Sequence, residues 1–116
     1  MASPKSSTVT ITVLSHELAH SDYDWINVFS GPDFVGKIRG KISGKKLTIY
    51  TILIFPEYQA HGYGEEVIDY FKRDYQIVAA DRVRSSAVGF WTKMGFHKVA
   101  DETYEYRKND RAHQSK

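Results

Sequence analysis

The chain has 116 residues, 16 Lys and Arg against 14 Asp and Glu, and no cysteine. That length fits one domain built on one hydrophobic core. The missing cysteine excludes disulfides, thiolate metal sites, iron–sulfur clusters and a thiol nucleophile. A formal charge of +2 is too small to make nucleic acid or an anionic membrane the expected partner.

Residues 1–8 are Ser-rich without an apolar segment behind them, so no secretory signal is expected. The longest apolar run, Ile52 to Phe55, is far below the ~20 residues of a membrane span. A cytoplasmic protein is therefore the expectation. Residues 8–14 alternate Thr with Val, Ile and Leu, the period of a half-buried strand. A second strand is expected at 25–29, closed by the turn residues Ser30-Gly31-Pro32-Asp33, and a third at 34–43. After Gly44-Lys45-Lys46 a long apolar strand, 47–55, runs to Pro56. Such short connections imply an antiparallel meander.

The pattern then changes to helical. In 62–75, Val67, Ile68, Phe71 and Tyr75 share one face of a helix whose other faces are charged. A short buried strand, 77–80, is followed by a second helix at 85–94, with Gly95 placed as its cap. One or two closing strands are expected within 96–107. The ends, 1–7 and 108–116, read as flexible tails.

The junction Gln59-Ala60-His61-Gly62-Tyr63-Gly64 lies between an apolar strand and an amphipathic helix. Glycines there let backbone approach a ligand with no Cβ between. The helix start adds unpaired N–H groups and partial positive charge, which suits a pyrophosphate. A glycine-rich helix start without a ligand stays open on these residues alone. Two rival phosphate loops fit less well: Glu65 follows Gly64 where a P-loop needs Lys. A dinucleotide fingerprint would need glycine at Val67, although Asp81 stands where a ribose-binding acid could.

This loop resembles motif A, Q/R-x-x-G-x-G/A, of the GNAT superfamily of acyl-CoA-dependent N-acyltransferases. Ser85 to Phe96, S-S-A-V-G-F-W-T-K-M-G-F, is similar to its motif B, and both look closest to the histone-acetyltransferase branch. The resemblance covers about half the chain, from 47 to 106. It implies an α/β (α+β) fold: a mixed, mostly antiparallel, splayed sheet of about six to seven strands with two main helices. It also implies N-acetyl transfer from acetyl-CoA to a primary amine by direct attack. The pyrophosphate would rest on amides of Gln59, Ala60, His61, Gly62, Tyr63 and Gly64. The pantetheine would pair with backbone of Ile52, Leu53 and Ile54, an amide near Leu53 or Ile54 polarising the thioester. Arg84, Phe90 and Trp91 would flank the CoA arm, although Ala87, Phe90, Trp91 and Met94 are equally an ordinary core face.

The resemblance is incomplete at the chemistry. Many relatives protonate the departing thiolate with a motif-B Tyr, seven residues after an Asn; Trp91 and Arg84 hold those places, and Thr48 stands where the histone-acetyltransferase branch has its Glu base. Tyr50 is the substitute acid put forward, with Tyr104 and Tyr106 behind it. A binding module that senses acetyl-CoA and regulates a partner protein without turnover is the alternative.

His16-Glu17-Leu18-Ala19-His20 spells H-E-x-x-H, the zinc-protease helix. Its extended form fails at Tyr23, only one strand precedes it, and no third ligand is evident, so no metal is expected. A short helical turn is the plainer reading, and His16 or His20 is the candidate base should that turn face the acceptor. Lys37, Arg39 and Lys41, with Lys45 and Lys46, could attract an anionic partner or simply form a solvated strand face. Relatives usually place two helices where this chain has only Ser15 to Asp24, ten residues. The acceptor site is therefore expected to be an open cleft, or to be roofed by a homodimer partner or a protein substrate.

Overall fold

Alternating apolar and polar residues build most of the architecture. The structure is a computed structural model that describes residues 9–108. The tails expected at 1–7 and 109–116 lie outside the described residues. Lys108, expected in the tail, is instead tied down: its N–H donates to Gln76 O and its Nζ to Arg73 O.

Four strands form the expected meander: β1 (Val9–Leu14), β2 (Asp24–Ser30), β3 (Asp33–Ser43) and β4 (Lys46–Ile54). One helical turn, α1 (His16–Ala19), fills the space between β1 and β2. Helix α2 (Tyr63–Asp74) then carries the chain to β5 (Ile77–Ala80), which runs parallel to β4. A 3-10 turn (Ser85–Ala87) leads into α3 (Val88–Lys93). The single helix expected at 85–94 is thus split, and the closing region gives two strands, β6 (His97–Ala100) and β7 (Thr103–Arg107). The seven-stranded sheet has the order β1-β2-β3-β4-β5-β7-β6.

The core lies between the sheet and α2. Val67, Ile68 and Phe71 are fully buried against Ile26, Val28, Ile38, Leu47 and Val78. Each such side chain contributes about 1.5–3 kcal/mol on burial. Helix α3 lies beside α2, not across the sheet from it. Lys93 Nζ bonds Glu65 Oε2 at 2.6 Å, Lys72 Nζ bonds Met94 O at 2.7 Å, and Trp91 stacks edge-on against Phe96 within the same core. Both main helices therefore cover one face. The other face of β2 to β4 carries Trp25, Lys37, Arg39, Thr51 and Leu53, with Leu53 42% exposed.

Two features open the sheet at its centre. β4 pairs with β5 only from Lys46↔Ile77 to Ile49↔Ala80, and a last bond from Asp81 N–H to Ile49 O closes the pairing. Immediately beyond, the β3–β4 register shifts between Arg39↔Thr51 and Gly40↔Ile49. That leaves Tyr50 as the extra residue of a bulge, which bends a strand and increases its twist. β4 continues past the end of β5 and diverges from it.

Candidate functional site

The divergence leaves a cavity of about 340 Å³ in the fork. Ile49, Tyr50, Thr51 and Ile52 line it from β4, and Ala80, Asp81, Arg82, Val83 and Arg84 line it from the end of β5 and the following turn. Ser86, Ala87 and Trp91 close it from the α3 side. The turn is held firmly: Asp81 Oδ1 accepts from Arg82 N–H and from the Thr103 hydroxyl, each at 3.0 Å, and Val83 N–H donates to Glu102 O. Asp81 is thus occupied in pinning the turn, which argues against its reading as a ribose-binding acid.

The open edge of β4 is fixed by the register. Phe55 N–H donates to Val35 O, in line with Lys37↔Leu53 and Arg39↔Thr51. Bonded and non-bonded pairs alternate along an antiparallel ladder. Leu53 therefore directs its backbone toward β3, while Ile52 and Ile54 direct theirs toward the fork. This corrects the expectation for Leu53, whose amide is committed to the sheet and whose side chain lies on the bare face. The Ile54 carbonyl accepts from Gln59 Nε2 at 2.8 Å, so the Gln59 side chain caps the outer end of this edge.

A 3-10 turn (Pro56–Tyr58) and the loop after it bring the chain back to α2. Ala60 (φ 67°) and Gly62 (φ 83°) both take left-handed backbone, and Gly62 is the cap residue. No side chain caps α2, and its first backbone bond runs from Glu66 N–H to Gly62 O. Among the described residues, the N–H groups of Tyr63, Gly64 and Glu65 are therefore without a partner, as are those of Ala60, His61 and Gly62. They form a run of donors at the positive end of a twelve-residue helix. His61 is exposed, and its ring lies 6.0 Å from that of Tyr63. Phe90 stands at the same place: a Cβ built on Gly64 would lie 3.8 Å from its ring.

The remaining expected residues divide. Tyr50 lines the fork from the bulge, with its ring edge-on to Tyr23 at 5.3 Å. Arg84 is exposed at the rim, and Trp91 is 5% exposed within the core while also lining the cavity. Tyr106 stacks on Phe96 and beneath Lys72 Nζ, a packing role. Thr51 and Arg82 belong to the cavity although no sequence motif marks them.

His16 and His20 are elsewhere. His16 Nδ1 is 2.8 Å from Asp24 Oδ1, which also accepts the His16 N–H at 2.6 Å. Asp24 Oδ2 accepts from Ile42 N–H at 2.7 Å. Burial of Asp24 opposes ionisation, but these hydrogen bonds and the nearby imidazole outweigh it and hold the carboxyl below its usual 3.8. Asp24 pairs with Gly40, which pairs with Ile49, so this cluster sits two strands across the sheet from the fork. Neither His is among the residues that line the fork. The zinc-helix reading also fails on geometry, because α1 ends at Ala19 and His20 lies beyond it at φ 53°. Among the described residues, no three His, Cys, Asp or Glu side chains come together. The lysine cluster disperses too: Lys46 faces Glu105, Lys41 bonds Asp22 O, and Lys37 and Arg39 lie over Trp25 and Tyr23.

No family model matches the chain. Over 53 residues it is 36% identical to an uncharacterised N-acetyltransferase of Oceanobacillus iheyensis, covering 46% of this chain and 32% of that protein. The chain thus spans about a third of that curated relative's length. Among solved structures it resembles an acetyltransferase of Thermus thermophilus at 20% identity and TM-score 0.62, over 78% of this chain and 69% of that one. It also resembles the Bacillus subtilis N-acetyltransferase YlbP, solved with coenzyme A, at 19% identity and TM-score 0.57, over 72% and 66% of the two chains. The fold is that of the GNAT acetyltransferases: a mostly antiparallel sheet, open at its centre, with few helices. No helix among the described residues is long and apolar enough to cross a membrane.

Proposed function

We propose that this chain binds acetyl-CoA and transfers its acetyl group to an amine. One observation carries the reading: the open edge of β4 that lines the fork leads, through the Gln59–Ile54 bond, to the partnerless donors at the start of α2. An anion resting on the N–H groups of residues 60–65 would be held by backbone donors and the helix dipole. An extended arm running from there could pair with Ile52 and Ile54 as an added strand would. The wording of motifs A and B supports the reading, and so do the relatives described as N-acetyltransferases.

In the proposed reaction the neutral amine attacks the thioester carbonyl directly. The C–N bond forms, the C–S bond breaks, and the amine gives its proton to solvent. The departing thiolate takes a proton from the Tyr50 hydroxyl, which regains one from water. An N–H at the open edge, of Ile52 or Ile54, would stabilise the charge developing on the carbonyl oxygen. The cavity has one acid in its lining, Asp81, and that carboxylate is engaged in the turn. Deprotonating a Lys amine (pKa ~10.4) at pH 7 costs about 4.6 kcal/mol, against ~1 kcal/mol for an α-amine near 7.8. An acceptor of low pKa therefore suits this site better than a lysine. That preference separates the reading from the lysine substrates suggested by the histone-acetyltransferase resemblance.

The test is calorimetric titration with acetyl-CoA, followed by thiol release with an amine panel across pH 6–9. The expected result is saturable binding and turnover that favours α-amines at pH 7. Binding without turnover on any amine would overturn the transferase reading in favour of an acetyl-CoA sensor. Absence of binding would overturn both.

A further inference from the structure

We propose that the bare sheet face beside the fork is the acceptor subsite and that it selects an apolar amino acid, whose carboxylate is held by Arg39 and Lys37. The inference rests on the transferase reading and adds the chemical class of the acceptor.

The observations lie on two neighbouring rows of the sheet. Trp25, Arg39 and Thr51 pair across β2, β3 and β4, and Asn27, Lys37 and Leu53 form the next row. Neither row contains a carboxylate. Among the described residues, Lys37 and Arg39 form no ion pair; Lys37 Nζ lies over Trp25 and the Arg39 guanidinium over Tyr23, 4.6 Å from the ring centre. One Arg39 terminal nitrogen bonds Thr51 Oγ1 at 3.1 Å, while its Nε is shielded from water and lacks a partner. An arginine uses its planar fork fully only on a planar anion, and a carboxylate matches it bidentately. Here that capacity is largely unused, with a second cation one row away.

The same residues enclose a cavity of about 210 Å³, lined by Trp25, Lys37, Arg39, Thr51 and Leu53. At about 30 Å³ per water-sized group, it has room for roughly seven, the size of an amino acid and not of a folded segment. Trp25 and Leu53 make part of the lining apolar, to receive an apolar side chain, while Lys37 and Arg39 make the rest cationic. Thr51 lines both this cavity and the fork. A carboxylate on Arg39 therefore places the attached α-amine a few bonds from the acyl end of the fork. Leu53 on this face is 42% exposed, so the subsite is open to solvent.

The test compares L-leucine with L-leucinamide, titrated calorimetrically into the protein with and without bound CoA, and as acetyl acceptors in the thiol-release assay. Leucine is expected to bind at least tenfold more tightly than the amide, and Arg39→Met and Lys37→Met should each remove most of that preference. Both variants keep an apolar stem on the aromatic ring, so melting temperature and CoA affinity should stay as in the parent. Equal binding of leucine and its amide would overturn the inference. So would a preference that survives in both variants. If the parent binds CoA but does not discriminate, this inference alone fails; if it binds no CoA, the transferase reading fails with it.

Discussion

Gly62 offers a sharp test of the anion cradle because its backbone strain can be matched elsewhere in the chain. Gly62 caps α2 at φ 83°, and a Cβ built on it would meet nothing within 4 Å. Gly44, in the β3–β4 turn, is also left-handed at φ 59° and equally open. An alanine at either position costs about 1–2 kcal/mol of left-handed strain. For a domain of this size that lowers Tm by about 4–8 °C. The two sites differ in the donors around them. Gly44 lies in a turn without such donors, whereas Gly62 lies within the run of partnerless N–H groups, residues 60–65, on which the proposed phosphate would rest. Losing one charge-assisted hydrogen bond there costs about 1.5–3 kcal/mol, or roughly 10–150-fold in Kd. Thermal unfolding and CoA titration of Gly62→Ala and Gly44→Ala should therefore show similar losses of stability, with weakened CoA binding only in Gly62→Ala. Unchanged CoA affinity in Gly62→Ala would refute the cradle. A stability loss at Gly62 several times that at Gly44 would refute the strain argument.

Other consequences follow from particular contacts. Asp24→Asn removes a buried carboxylate that accepts three hydrogen bonds, and should destabilise the fold by about 2–4 kcal/mol in urea denaturation. Because the folded carboxyl titrates below 3.8, its contribution is complete above that value and is lost as pH falls further; Asp24→Asn should flatten the stability–pH curve below about pH 4. A parent curve as flat as the variant's there would contradict this. Gly40→Ala would set a Cβ 2.5 Å from Thr48 O beside the Tyr50 bulge, so a loss of about 1–3 kcal/mol and weaker CoA binding are expected; an unchanged melting temperature would show that the bulge absorbs the methyl group. Tyr50→Phe should lower kcat by about 10²-fold or more at unchanged CoA affinity, and retained kcat would assign protonation of the thiolate to another group.

The sequence by itself determined the elements and their order. Period-two alternation marked the meander, a 3.6-residue period marked α2, and Gly62 with Gly64 marked a junction at which backbone donors stay free. These signals are local, because they follow from side-chain direction and allowed dihedrals within a few residues. The ten-residue gap between the first two strands was also readable, and it becomes one turn of helix. What the tertiary structure decided is where long-range pairing places each residue. The register with β3 commits the Leu53 backbone to the sheet and leaves Ile52 and Ile54 at the fork, since a strand alternates its edges residue by residue. The bulge moves Tyr50 into the cavity, and the turn after β5 brings Arg82 and Val83 there with no motif to announce them. Asp24 holds His16 against β2, two strands from the fork. Both helices fall on one face, and the cations of β3 are left beside Trp25 on the other. No run of neighbouring residues encodes that choice, because the covered face is set by contacts between segments far apart in the chain.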